Sequence, residues 1–242
     1  GLTIYEVLTG EAKLADAIRE AGERIKNRAT EELASYYPRD ADGSTPITYL
    51  WARTVLSEAP DSTGEGIPVE IPLIRGFWLS KKSGRFLALR WVRNSTGDVQ
   101  TEIVTVTYAD GTTRKVRRPL LEIFQPKTTA DIPQPAVQRG SATCPVTGHT
   151  TPVKSVRAQL RARRGGGDDA RLLAVATLHP ASSGRRYRLP TFADEAAVAA
   201  ARARAILLRS QRVDGLSEIP DEKLDVRGIR HTWAMIYGMT VW

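Results

Sequence analysis

The chain has 242 residues, 35 Lys+Arg against 27 Asp+Glu, a net charge of +8 and 41% hydrophobic residues. These values exclude a wholly disordered chain and leave room for one large domain or two small ones. A single cysteine, Cys144, excludes an internal disulfide framework and a zinc site built from several thiolates, and no apolar run approaches the roughly 18 residues of a membrane helix.

In chain order, Glu11 to Tyr36 is predicted to be a helix. Leu14, Ile18, Ala21, Ile25, Ala29 and Leu33 recur at spacings of three and four, which puts them on one stripe. Pro38 and the Asp40-Ala41-Asp42-Gly43 run end it. At ~1.5 Å per residue it is about 37 Å long, a length expected to pack against something outside a compact small domain. Thr45 to Val55 is apolar and β-branched, and reads as a strand or as a short helix opening at Pro46. A polar, turn-rich loop, Ser57 to Gly66, follows.

Strands are then expected at about Val69–Leu79, Phe86–Val92 and Glu102–Tyr108, with Thr113–Arg117 as a return strand after the hairpin signal Asp110-Gly111. The prolines at 126, 133 and 135 mark residues 125–140 as a linker or long loop. Val153–Gln159 is a strand or a short helix, and Leu172–Leu178 pairs with Arg185–Leu189 as a hairpin. Thr191 to Arg209 is a second helix, with Thr191 as N-cap and Asp194 and Glu195 in its first turn. The fold class expected is α+β: an antiparallel, ribbon-like β core with hairpins, a long N-terminal helix and a second helix near the C-terminus. The expected organisation is a helical lead-in over 1–40, a β-rich region over 41–190, and a helix with an apolar tail over 191–242. The first residue, Gly1, and the aromatic ending at Trp242 fit a segment of something longer, and no signal peptide is visible, so a cytoplasmic location is expected.

The charge is concentrated. Between Arg139 and Arg188 lie ten basic residues and two acids, a net +8 equal to that of the whole chain. Arginine suits phosphate because its planar fork donates two parallel hydrogen bonds. The residues expected to contact nucleic-acid phosphates are Arg157, Arg161, Arg163, Arg164, Arg185, Arg186 and Arg188. A smaller cluster, Arg114, Lys115, Arg117 and Arg118, lies upstream. Trp78 and Trp91 are either core aromatics or stacking platforms for an exposed base.

Enzyme chemistry finds no foothold in the motifs. The glycine runs Gly64-Glu65-Gly66 and Gly165-Gly166-Gly167 do not sit between a strand and a helix as a cofactor turn requires. There is no Walker loop, no HExxH and no Asp/Asn-Pro-Pro-aromatic tetrapeptide. The carboxylate pairs fall in turns or at a helix start, where they form turns and caps. The informative stretch is Gly140 to Val153. A zinc knuckle has the form Cys-Pro-x-Cys-Gly, and here Cys144, Pro145 and Gly148 stand at their places while Thr147 replaces the second cysteine. Cys144 and His149 are too few ligands for tetrahedral zinc, so no metal is expected.

These residues carry a resemblance. The chain resembles the central segment of adenine-specific DNA methylases that carry an inserted zinc-ribbon region. The matching stretches include Thr45-Pro46-Ile47-Thr48-Tyr49-Leu50-Trp51-Ala52-Arg53-Thr54-Val55, Glu70-Ile71-Pro72-Leu73-Ile74-Arg75-Gly76-Phe77-Trp78-Leu79-Ser80-Lys81-Lys82, Gly140 to Gly148, Gly184-Arg185-Arg186-Tyr187-Arg188-Leu189-Pro190 and Tyr237-Gly238-Met239-Thr240-Val241-Trp242. The family's first knuckle lies where Ser57–Gly66 stands here, without cysteine. The resemblance therefore implies a ribbon that has lost its ligand cysteines, with no cofactor held by this chain. S-adenosylmethionine and catalysis would belong to flanking parts of the parent protein. The function expected is a non-catalytic insert that binds DNA and adjoins a methyltransferase-like domain, with a role in defence against foreign DNA as a further implication. The alternative is a structural or protein–protein scaffold, for partner subunits or for the catalytic halves, and no membrane partner is expected.

Overall fold

The computed structural model describes residues 11–60, 66–82, 84–108, 111–163, 169–213 and 216–217. The fold is α+β, with an antiparallel, hairpin-rich core flanked by helices. Helix α1 spans Glu11–Leu33 and closes in a 3-10 turn, Ala34–Tyr36. Its polar face carries short-range ion pairs, Asp16 with Arg19, Glu23 with Lys26 and Arg28 with Glu32. Of its apolar stripe, Ile18, Ile25 and Leu33 are exposed, Ile25 by 70%, while Leu14, Ala21 and Ala29 are partly buried.

The segment with two readings at Thr45 is a strand. Strand β1 (Thr45–Leu56) pairs antiparallel with β11 (Ala170–Leu178), bending through register shifts at Pro46/Thr48 and Leu50/Trp51. Its end pairs with β2 (Glu70–Pro72), and β12 (Arg185–Arg188) pairs with the end of β11, giving the order β12-β11-β1-β2. Strand β11 is buried from Leu172 to Thr177, so it is covered on both faces.

The expected strand Val69–Leu79 is two elements. Strand β2 stops at Pro72, which has no N–H for a ladder. Strand β3 (Trp78–Lys82) then pairs with β4 (Arg85–Trp91), which pairs with β7 (Leu121–Phe124). Strands β5 (Thr101–Thr107) and β6 (Thr113–Pro119) form the expected ribbon, although Asp110 at its turn lies outside the described residues. Residues 125–140, read as a linker or long loop, make local and core contacts. Asp131 accepts hydrogen bonds from the Lys127 and Thr128 N–H groups at a 3-10 turn, Ile132 packs on the core and Ala136 is buried. Strands β8 (Val137–Gln138), β9 (Ser141–Thr143) and β10 (Thr150–Thr151) form a small sheet around the knuckle. Val153–Ala162 is a helix, α2.

Helix α3 (Phe192–Ser210) starts at the expected cap. The Asp194 N–H donates to Thr191 Oγ1, and Asp194 Oδ2 accepts from the Thr191 N–H at 2.8 Å. This satisfies two of the donors that a helix start leaves open. Beyond it, among the described residues, come the short strands β13 (Arg212–Val213) and β14 (Leu216–Ser217), and most of the apolar tail lies outside those residues. No helix among the described residues is long and apolar enough to cross a membrane.

Among the described residues, two apolar clusters form the core. One joins Ala52 and Leu173 to Ile74, Phe77, Leu89, Trp91, Val99 and Leu121. The Phe77 and Trp91 rings meet edge to face there at 5.4 Å, a favoured geometry. The other gathers Val55, Val69, Ile71, Ala136, Ala142, Cys144 and Val156.

Candidate nucleic-acid interface

The arginine-rich window folds into two separate places. Helix α2 docks at the end of β1 through Gln159. Its side-chain Oε1 accepts from the Leu56 N–H at 2.8 Å and its Nε2 donates to the Leu56 carbonyl at 3.0 Å. The amide thus extends the β ladder by one rung. Arg157 and Arg161 project from the exposed side of this helix. Arg185, at the start of β12, stands opposite Leu178, which stands opposite Thr45 at the other end of β1. A 12-residue strand separates the two sites. At ~3.3 Å per residue that is about 35 Å.

The individual arginines have different surroundings. Arg163 is buried. It donates to the Thr54 carbonyl and to Gln159 Oε1, each at 3.1 Å, and stacks 4.2 Å over the Tyr108 ring. That guanidinium cross-links the end of α2 to β1. Burial pushes the Tyr108 hydroxyl pKa up, and the Arg163 charge partly opposes it. Arg188 is also engaged internally. Its guanidinium bridges Asp40, at 2.7 Å, and Asp194, at 2.5 Å, so it ties the loop after α1 to β12 and to the start of α3. The hydrogen bond to Asp194 leads the rise of the Arg188 pKa above its ordinary value. Burial works against ionisation of Asp194, but hydrogen bonds from Arg188 and Thr191 outweigh it and hold the carboxyl below its usual range. Arg186 makes an exposed pair with Asp42 at 3.4 Å, a contact worth little in water. Arg185 is exposed. Arg164 lies outside the described residues. The exposed cations among the described members of the expected set are therefore Arg157, Arg161, Arg185 and Arg186.

The upstream cluster divides in the same way. Arg114 and Lys115 are exposed on β6. Arg118 turns inward and its Nε meets buried Glu70 at 2.7 Å. Arg171 donates to the Pro119 carbonyl at 2.7 Å. Its burial, with the Arg118 charge nearby, pushes its pKa down to about 10.

Sequence reasoning does not single out Lys81, Lys82 and Arg85 as a site. They sit at the β3–β4 hairpin end and are exposed. The fold brings them beside the β11–β12 turn: Arg85 Nη1 lies 2.5 Å from the point where a Cβ on Gly184 would stand. The φ of +99° at Gly184 is what calls for glycine at that turn. The Lys-Lys-Ser-Gly-Arg string is the available signal, but nothing in it shows that Arg85 reaches Gly184.

The Cys144–Gly148 turn is closed by hydrogen bonds. The Gly148 N–H donates to the Cys144 carbonyl at 2.9 Å, the Cys144 N–H to the His149 carbonyl at 2.8 Å, and the Thr147 N–H to Cys144 Sγ at 3.5 Å. Gly148 has φ +72°, as the turn requires. Thr147 shares a cavity of about 120 Å³ with Ser57, Pro60, Gly66 and Val69. The described ends of the β1–β2 loop thus face this turn. The described lining residues include no His, Cys, Asp or Glu, and Cys144 is buried in the apolar cluster. Among the described residues, no three His, Cys, Asp or Glu side chains come together as a metal site. Asp61 and Glu65, in the same loop, lie outside those residues.

Comparison with protein-family models, curated proteins and solved structures gave no match to this chain.

Proposed function

We infer that the chain is a non-catalytic segment of a DNA adenine-specific methyltransferase-like protein and contributes nucleic-acid binding. The observation that carries this reading is the division of its arginines. Arg163, Arg188 and Arg118 are consumed inside the fold, whereas Arg157, Arg161 and Arg185 are exposed. Exposed cations without a structural task are the parts that phosphate contact needs, and such contacts position a polyanion without reading its sequence. The knuckle-shaped turn facing the β1–β2 loop supports kinship with a zinc ribbon whose ligands have been replaced. Under this reading S-adenosylmethionine and the catalytic residues belong to flanking domains, the location is cytoplasmic, and defence against foreign DNA is the biological setting.

A second reading rests on its own observation. Ile18, Ile25 and Leu33 on α1, and Phe192, Ile206 and Leu207 on α3, are exposed apolar side chains, with Phe192 exposed by 85%. Such faces suit a scaffold that docks on neighbouring domains or subunits. Gel retardation separates the two. The nucleic-acid reading expects the chain to retard a duplex of arbitrary sequence at ~150 mM salt, less so after Arg157→Glu with Arg161→Glu. Absence of retardation by the parent chain at that salt would favour the scaffold.

A further inference from the structure

Register puts an aromatic from each strand of the β3–β4–β7 sheet on one face. Trp78 stands opposite Ala88, Ala88 opposite Phe124, and Lys81 opposite Phe86. The other face presents Leu89, Trp91, Leu121 and Ile123 to the core. On the outer face Phe86 is 45% exposed, and Trp78 and Phe124 are half-buried. The Trp78 and Phe86 rings meet edge to face at 6.1 Å. Cations accompany the rings: Lys81 Nζ is 5.5 Å from the Trp78 ring centre, and the Arg90 guanidinium lies 4.6 Å over Phe124. Glu122, opposite Arg90 on this face, is paired with it at 2.7 Å. Lys82 and Arg85, one residue away from Lys81 and Phe86, fall on the opposite face at the hairpin end, where Arg85 packs against Gly184.

A single exposed aromatic needs no explanation. A run of rings across three strands, with ammonium and guanidinium groups beside them, is a different arrangement. Bases of an unpaired strand expose π faces that stack on aromatics, while their phosphates follow a positive edge. Duplex bases are already stacked and offer no such face. We propose that the outer face of this sheet binds single-stranded nucleic acid, with Trp78 and Phe86 stacking bases and Lys81 holding phosphate. The proposal rests on the nucleic-acid reading above and narrows it to a class of ligand.

The test is fluorescence anisotropy of a labelled oligothymidylate of about 16 nucleotides, against a labelled duplex of the same length. Phe86→Ala is expected to weaken oligothymidylate binding about tenfold or more and to leave duplex binding unchanged. Phe86→Trp should retain it, which separates loss of stacking from loss of fold, and thermal melting of Phe86→Ala should stay close to the parent. Arg157→Glu with Arg161→Glu should weaken the duplex and leave the Phe86 effect intact. If the duplex binds and responds to those arginines while Phe86→Ala leaves oligothymidylate affinity unchanged, the stacking face is overturned and the broader reading stands. If the parent binds neither probe, both fall together.

Discussion

Trp91 and Phe86 belong to the same strand and have opposite fates. Trp91 points inward, packs on Phe77 and is nearly inaccessible, whereas Phe86 points outward and leaves 45% of its surface to solvent. The same split runs through the arginines at the end of α2. Arg161 is exposed, and Arg163, a short step along the chain, is buried over Tyr108. Residue type therefore says little about role here. In a strand the face is decided by parity, and at a helix end it is decided by where the last turn meets the sheet.

This contrast can be broken from either side. The largest effect should come from the interior. Trp91→Ala is expected to cost about 3–5 kcal/mol, since it opens a cavity beside Phe77 and Leu121, and denaturant unfolding measures it. Arg118→Met should cost about 3 kcal/mol, because it strands the Glu70 carboxylate in a buried site. Arg163→Ala should also destabilise, by about 1–3 kcal/mol, through the loss of its bonds to Thr54 and Gln159. A smaller effect belongs to Asp194→Asn, about 1 kcal/mol from the α3 cap. It carries a pH signature. The Asp194 carboxyl is held below its ordinary value, so its contribution is full above the ordinary carboxylate range and is lost as pH falls through the lowered value. Melting temperatures of the parent and Asp194→Asn should differ at neutral pH and converge in acid. Smallest of all, Phe86→Ala should change stability by less than about 1 kcal/mol while it weakens single-strand binding about tenfold or more.

Much of the scaffold is legible in the amino-acid sequence. The spacing in α1, the Thr191 and Asp194 cap and the Asp110-Gly111 hairpin signal all report local chemistry, and each needs only a few adjacent residues. The break after Pro72 has local signals in Pro72 and Arg75-Gly76, but the apolar residues on both sides of them favour reading one strand from Val69 to Leu79. The docking of residues 125–140 is hidden because prolines signal irregular backbone but not whether Ile132 and Ala136 find a core. The candidate site is legible only as a sum of charge. That sum does not show that β1 separates Arg161 from Arg185, or that Asp40 and Asp194 consume Arg188. Nor does it show that Arg85 crosses to Gly184, since that contact joins residues far apart in the chain.

The central claim is that the exposed cations, and not the internal ones, engage a polyanion. Its most direct measurement is duplex affinity across about 50 to 200 mM salt for the parent, for Arg157→Glu with Arg161→Glu and Arg185→Glu, and for a folded Arg163→Gln variant. The account predicts a linear fall of log affinity with log salt for the parent, a weaker and flatter response for the triple variant, and a slope unchanged by Arg163→Gln. Affinity that ignores salt, or a triple variant that binds as the parent does, would contradict it.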